Sequence, residues 1–114
     1  MSFFYLIMSL TLVIPQAEKW FQKEYITDIF YKVCWGEIDK VDVIEHKDRD
    51  YNTVYIHFSS WNHHKSHARY ARDYLVRHSK DLKLYYSRDL YWIVRLANRY
   101  PEHKKEFVPF YEVV

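Results

Sequence analysis

The chain has 114 residues, which is room for one domain built on one hydrophobic core. Hydrophobic residues make up 49% of it and aromatic residues 20%, a composition that excludes an intrinsically disordered chain. The 17 basic and 15 acidic residues leave a net charge of +2, so any binding of nucleic acid would depend on base stacking more than on a strong positive field.

The numbers of aromatic residues and of cysteines indicate where the protein works and whether it binds a partner. The 12 tyrosines, 7 phenylalanines and 4 tryptophans are more rings than a core of this size can enclose, so some rings must lie on the surface and partner binding is plausible. Cys34 is the only cysteine, which excludes an intrachain disulfide and favours a reducing, intracellular compartment.

The N-terminal segment is apolar without being a membrane span. Pro15 and Gln16 end the run SFFYLIMSLTLVIP before the roughly 20 apolar residues that a span needs, and neither a basic start nor a small-residue cleavage site marks a signal peptide. We expect no membrane segment. Because Met8 directly precedes the first strand pattern, residues 1–7 are predicted to be an extension before a domain at 8–98.

The first half of the chain predicts a strand, a helix and a strand. Residues 10–14 alternate as a strand that should stop at Pro15, because proline has no amide hydrogen to give. Apolar residues then recur at helical spacing up to Val33, with a helix start between positions 17 and 23. Gly36 stands where a left-handed helix cap is expected, and residues 38–45 form the next strand.

The third strand pattern, residues 51–58 (YNTVYIHF), is the clearest in the chain. Val54, Ile56 and Phe58 fall on one side of an extended strand, whereas Thr53, Tyr55 and His57 fall on the other. The first set is predicted to be core. The second holds an aromatic ring and a histidine out to solvent, as sheets that stack nucleic-acid bases do.

The second half predicts a helix and a final strand. Residues 61–81 are predicted to be a loop followed by a second helix, from which Ala68, Ala71 and Leu75 should face the core. Residues 82–86 are predicted to be a short extended piece, 87–89 a turn, and 90–97 the last strand. In that strand, Trp92 and Val94 should point inward. The order β-α-β-β-α-β predicts an α+β sandwich of ferredoxin-like type, with a four-stranded antiparallel sheet and two helices on one face.

Several stretches of the chain resemble an RNA recognition motif (RRM). They are LVIPQA, the helix ITDIF, the octet YNTVYIHF and the strand LYWIV. The run SLTLVIP near the start, V-D-V before a charged loop, and N-T-V-Y-I-H-F-S-S-W are similar to the small stand-alone RRM-like proteins encoded by large DNA viruses. The resemblance covers residues 8–98 and implies a location in the cytoplasm or nucleus of a host cell, or in the virion.

The resemblance also implies a binding face. Of the three aromatic rings that the family usually stacks on bases, this chain has one, Tyr55, while Thr53 and Val13 occupy the other two positions. The implied partner is single-stranded RNA or DNA. The predicted interface comprises Tyr55, His57, Thr53, Val13, Arg95, Ile93, Arg88 and Arg99.

Other chemistry is weakly represented. His63, His64 and His67 lie too close together in sequence to converge on one metal ion, so we expect no metal and no cofactor. Neither a Ser-His-Asp pattern nor a glycine-rich phosphate loop occurs, and an enzyme is not expected.

The last strand and the segment after it border the solvent-exposed face of the predicted sheet. The predicted basic rim of that face comprises Arg88, Arg95, Arg99, Lys104 and Lys105.

The aromatic C-terminal tail, residues 99–114, leaves two functions open. It could pack along the domain, cover the sheet or dock on a partner subunit. The alternative to nucleic-acid binding is therefore a protein interaction or virion assembly module, or a homodimer, that uses the sheet face or the tail. A contiguous positive rim around Tyr55 would favour nucleic acid, and an apolar patch would favour protein.

Overall fold

The computed structural model describes residues 10–97, which form one antiparallel sheet and two helices. The predicted N-terminal extension, the tail and Arg99 lie outside the described residues. The elements are β1 (Leu10–Glu18), α1 (Lys23–Val33), β2 (Gly36–Glu45), β3 (Tyr51–Trp61), α2 (Ser66–Arg72), β4 (Leu82–Tyr85) and β5 (Tyr91–Leu96). A π-helical turn, Asp73–Arg77, extends α2.

The predicted four-stranded ferredoxin-like sheet is wrong. The sheet has five strands in the order β2-β3-β1-β5-β4. The additional strand is β4, which pairs antiparallel with β5 from Leu82 opposite Val94 to Tyr85 opposite Tyr91. Four residues give too short an alternation to stand out in the sequence. Once the turn at 86–90 folds this segment back on β5, it becomes an edge strand.

The alternation predicted for β3 is confirmed. Val54, Ile56 and Phe58 are fully or almost fully buried, whereas Tyr55 and His57 are partly exposed on the opposite face. The inward direction of Trp92 and Val94 in β5 is confirmed as well, since both are buried.

The prediction that β1 ends at Pro15 is wrong. The strand accommodates this proline in a bulge. Ile14 lies opposite Val54 and Ala17 opposite Asn52, so two residues, Pro15 and Gln16, oppose one on β3. A bulge leaves a position outside the hydrogen-bonded ladder, where the missing amide hydrogen of proline costs nothing. The strand continues to Glu18.

Gly36 is not the helix cap. Cys34, at φ 60° and ψ 40°, holds the left-handed position after α1, and its amide donates to the carbonyl of Tyr31. Gly36 opens β2 instead, opposite Trp61. A Cβ there would lie 2.1 Å from the carbonyl oxygen of Ser60, so glycine is required by close backbone approach and not by a positive φ.

Both helices pack on the face of the sheet that carries the inward residues. Ile26 and Phe30 of α1 join Ala68, Ala71 and Leu75 of the α2 segment in one core with the sheet. The Trp61 indole also donates a hydrogen bond of 2.8 Å to the carbonyl of Ala68, which ties β3 to α2. No helix within residues 10–97 is long and apolar enough to cross a membrane. Neither helix covers the other face of the sheet, which we call the open face.

Candidate nucleic-acid interface

Tyr55 lies near the middle of the open face. Its neighbours in register are Val13 on β1 and Asp42 on β2. Val13, predicted as an interface residue, lies between Tyr55 of β3 and Arg95 of β5 in register and is only 7% exposed. Tyr55 is partly exposed, and its strand is anchored by the buried side chains of Val54 and Ile56. The ring is therefore held on a rigid support.

His57 is fixed by hydrogen bonds on both ring nitrogens. Nε2 is 2.9 Å from a carboxylate oxygen of Asp42, and Nδ1 is 3.1 Å from the hydroxyl of Thr11. Because the carboxylate can only accept, Nε2 donates to Asp42, while Nδ1 pairs with the Thr11 hydroxyl. Lys40 adds a longer contact of 3.9 Å to the same carboxylate. His57 is thus positioned as a flat neighbour of Tyr55 rather than as a free donor to a ligand.

The chain Thr11, His57 and Asp42 superficially resembles a catalytic triad. A triad also needs hydrogen-bond donors aimed at the developing oxyanion. Here the strand amides lie in the plane of the sheet, whereas the Thr11 side chain projects out of it. We therefore interpret these hydrogen bonds as cross-strand ties among β1, β3 and β2.

Thr53 is also engaged within the sheet. Its hydroxyl donates to the carbonyl of Pro15 at 3.0 Å and accepts from Nε2 of His46 at 2.8 Å. The first bond satisfies a carbonyl at the β1 bulge, and the second holds the loop between β2 and β3 against the open face. Thr53 therefore shapes the face without offering a spare donor.

The predicted cations have different surroundings. Arg95 makes two hydrogen bonds to Asp81, of 3.2 and 2.8 Å, so its charge is neutralised by a bidentate pair. Arg88 is exposed in the turn between β4 and β5. Ile93 is half-buried on β5, opposite Lys83 of β4. Within residues 10–97, Arg95 and Lys40 each pair with a carboxylate and Asp42 lies next to Tyr55, so these charges do not form a contiguous positive rim.

The structure adds aromatic groups that were not predicted to belong to the interface. Tyr85 and Tyr91 lie opposite each other on β4 and β5, with ring centroids 5.1 Å apart, and Nζ of Lys83 lies 4.9 Å from the Tyr91 ring centroid. Leu84 and Trp92, which alternate with them, are buried, so both tyrosines project from the open face. In the sequence, the alternation of LKLY could have indicated that Tyr85 faces the same side as Lys83, provided that the segment was assigned as a paired strand.

A second tyrosine with a cation lies at the start of β3. The Arg49 guanidinium is 5.8 Å from the ring centroid of Tyr51 and donates a hydrogen bond of 2.6 Å to its hydroxyl. Since β3 and β5 both run antiparallel to β1, Tyr51 and Tyr91 lie at the same end of the sheet. Exposed rings therefore reach from the centre of the open face to this end.

A shallow groove of about 690 Å³ follows the edge of β2. Val43 and Asn52 line the groove on the core side of the sheet, and Tyr55 and His57 line it on the open face. The groove therefore extends around the edge strand β2 and is open to solvent. The amide oxygen of Asn52, a residue only 5% exposed, has no hydrogen-bond partner among residues 10–97. Lysines and carboxylates both line the groove, so it has no single charge preference.

Two histidines of the run are engaged with the backbone. His63 and His67 bond to the backbone carbonyls of Trp61 and Val33, respectively, which are contacts within the fold. In the part of the chain that the structure describes, no three His, Cys, Asp or Glu residues are grouped to hold a metal ion.

Comparisons with known proteins identify no relative. No family model, no curated protein and no solved structure matches this chain. A function has to be argued from the open face itself.

Proposed function

We propose that the open face binds single-stranded nucleic acid, RNA or DNA, without catalysis. The observation that carries the proposal is the support of Tyr55. The ring is partly exposed on an interior strand, and the residues next to it on the other side of that strand, Val54 and Ile56, are fully buried. An aromatic ring held in this way presents a flat apolar surface at little cost in conformational entropy, and every base can stack on it.

The paired charges around Tyr55 set the character of the binding. Each base stacked on an aromatic ring contributes about 1–3 kcal/mol. Arg95 is held by Asp81, and Lys40 lies near Asp42, so these two cations contribute little to the release of counterions from phosphate. We therefore expect weak binding, little base preference and a shallow dependence on salt.

The test is fluorescence anisotropy of labelled single-stranded RNA and DNA with the full chain, at low and at physiological salt. Tyr55→Ala should weaken binding by about 1–3 kcal/mol. Tyr31→Ala is the matched control, because Tyr31 is well exposed on α1, away from the open face. Equal binding by the wild type and Tyr55→Ala would contradict a role for Tyr55, and no binding by the wild type would contradict the proposal.

The second candidate function is binding of a protein partner by the same face. The neutralised charges around Tyr55 favour it, as does Ile44, which lies 46% exposed on the edge strand β2. Asp81→Asn separates the two functions because it frees Arg95. If the face binds nucleic acid, this variant should bind more tightly than wild type and with a steeper salt dependence. A decrease, or no change, would favour the protein partner.

A further inference from the structure

The strongest aromatic feature of the open face lies on β4 and β5 and not on β3. Tyr85 is 55% exposed and Tyr91 is 40% exposed, and the two rings meet at an angle of 55°. Each ring touches the other on one side and keeps a substantial exposed fraction, so part of each ring is accessible to a ligand. Both are carried by short strands whose inward residues, Leu84 and Trp92, are buried, so the backbone under the pair is anchored to the core.

A cation accompanies this pair. Nζ of Lys83 lies 4.9 Å from the centroid of Tyr91, within the range of a cation–π contact. Lys83 and Arg88 take part in no ion pair with the residues described between 10 and 97. In this part of the chain no carboxylate pairs with either charge, so both can contact phosphate beside the two rings.

Charge is distributed unequally across the sheet. On the β4–β5 side, the charged residues of 80–95 are Lys80, Lys83, Arg88 and Arg95 against Asp81 and Asp89. On the β2 side, those of 36–50 are Lys40, Lys47 and Arg49 against Glu37, Asp39, Asp42, Glu45, Asp48 and Asp50. A polyanion is attracted to the first side and repelled by the second.

We propose that the Tyr85–Tyr91 pair, with Lys83 beside it, is the main base-stacking site of the protein, and that a single strand follows the β4–β5 side of the open face. This inference rests on the proposed function and specifies where it occurs. A base stacks on the outer surface of the pair while Lys83 and Arg88 contact the flanking phosphates. Tyr55 lies two strands away from β5, roughly 10 Å at the usual strand spacing, and makes a secondary contact.

Variants of the full chain test this site with the same labelled oligonucleotides. Tyr85→Thr with Tyr91→Thr removes both rings but keeps residues that suit strands. Tyr85→Phe with Tyr91→Phe keeps both rings. The matched control, Tyr31→Ala with Tyr70→Ala, removes two exposed rings from the helices.

The Thr pair should lose at least about fivefold in affinity, the lower bound for one base stack, whereas the Phe pair and the helix control should stay within about twofold of wild type. A second comparison uses charge reversal. Lys83→Glu should weaken binding more than Lys47→Glu, which makes the same change in net charge on the β2 side. For Lys83→Glu, the slope of log affinity against log salt concentration should also become shallower by about 0.7 for each phosphate that Lys83 no longer neutralises.

Distinct results overturn the inference and the function on which it rests. If the Thr pair binds like wild type while Tyr55→Ala loses binding, the stacking site is wrong and the proposed function stands. If the wild type does not bind at all, both are wrong. If thermal melting shows that the Thr pair is unfolded, the two lysine variants provide the test. Equal losses of affinity for Lys83→Glu and Lys47→Glu would then overturn the proposed stacking site.

Discussion

Replacing Gly36 by alanine should destabilise the domain through one backbone contact. The added Cβ would lie 2.1 Å from the carbonyl oxygen of Ser60 and 3.0 Å from both the carbonyl carbon of Ser60 and Cα of Trp61. All three are backbone atoms, so no side chain can rotate away. The ends of β2 and β3 would have to separate, and buried Trp61 would move with them.

The magnitude follows from two opposing effects. Overpacking of this kind costs about 1–3 kcal/mol. Alanine also restricts the unfolded chain more than glycine does, which returns about 0.4–1 kcal/mol. The free energy of unfolding should therefore fall by about 1–2 kcal/mol, and the Tm by about 4–8 °C for each kcal/mol at this domain size.

Urea unfolding followed by tryptophan fluorescence, together with thermal melting by circular dichroism, measures this change. Cys34→Ala is the control. It places alanine in the same connection, at an exposed position that already has a Cβ, and should change stability by less than about 0.5 kcal/mol. If Gly36→Ala is as stable as wild type, the close approach of β2 to Ser60 is wrong.

Two further predictions concern the hydrogen bond between Trp61 and Ala68 and the ionisation of Tyr86. Trp61→Phe removes the 2.8 Å hydrogen bond to the Ala68 carbonyl and should cost about 1–3 kcal/mol in urea unfolding, whereas an unchanged midpoint would contradict the tie between β3 and α2. Burial, with smaller contributions from Glu18 and Tyr25, raises the pKa of Tyr86. In the unfolded chain this phenol ionises near its ordinary pKa of about 10, before it does so in the folded protein, so stability is unaffected below that pH and falls as the pH rises through it. The fall between pH 8 and 10.5 should be smaller in Tyr86→Phe, and equal falls in the two proteins would contradict the raised pKa of this phenol.

The sequence predicted those parts of the fold that depend on alternation within one strand. Val54, Ile56 and Phe58 were identified as core because a buried strand face repeats every second residue. The start of α1 was bracketed but not fixed, since Trp20 and Phe21 continue the apolar spacing of the helix into the turn that precedes it.

The features that were missed depend on contacts between segments. Nothing local to Gly36 indicates the carbonyl of Ser60, and nothing local to Pro15 indicates that a bulge would keep it inside β1. Likewise, Arg95 was predicted to belong to the basic rim, and its pairing with Asp81, fourteen residues away in sequence, was not predicted. The candidate interface could be predicted as a face, but its charges could not.

The most direct test of the central claim, that the open face binds single-stranded nucleic acid, is an NMR titration of the 15N-labelled chain with a short single-stranded oligonucleotide. Binding at this face predicts amide shift changes in β1, β3, β4 and β5, and largely unchanged signals in α1 and α2. The predicted changes include the neighbours of Tyr55, Tyr85 and Tyr91. Changes concentrated on the helices, or no changes at concentrations where weak stacking would saturate, would contradict the claim.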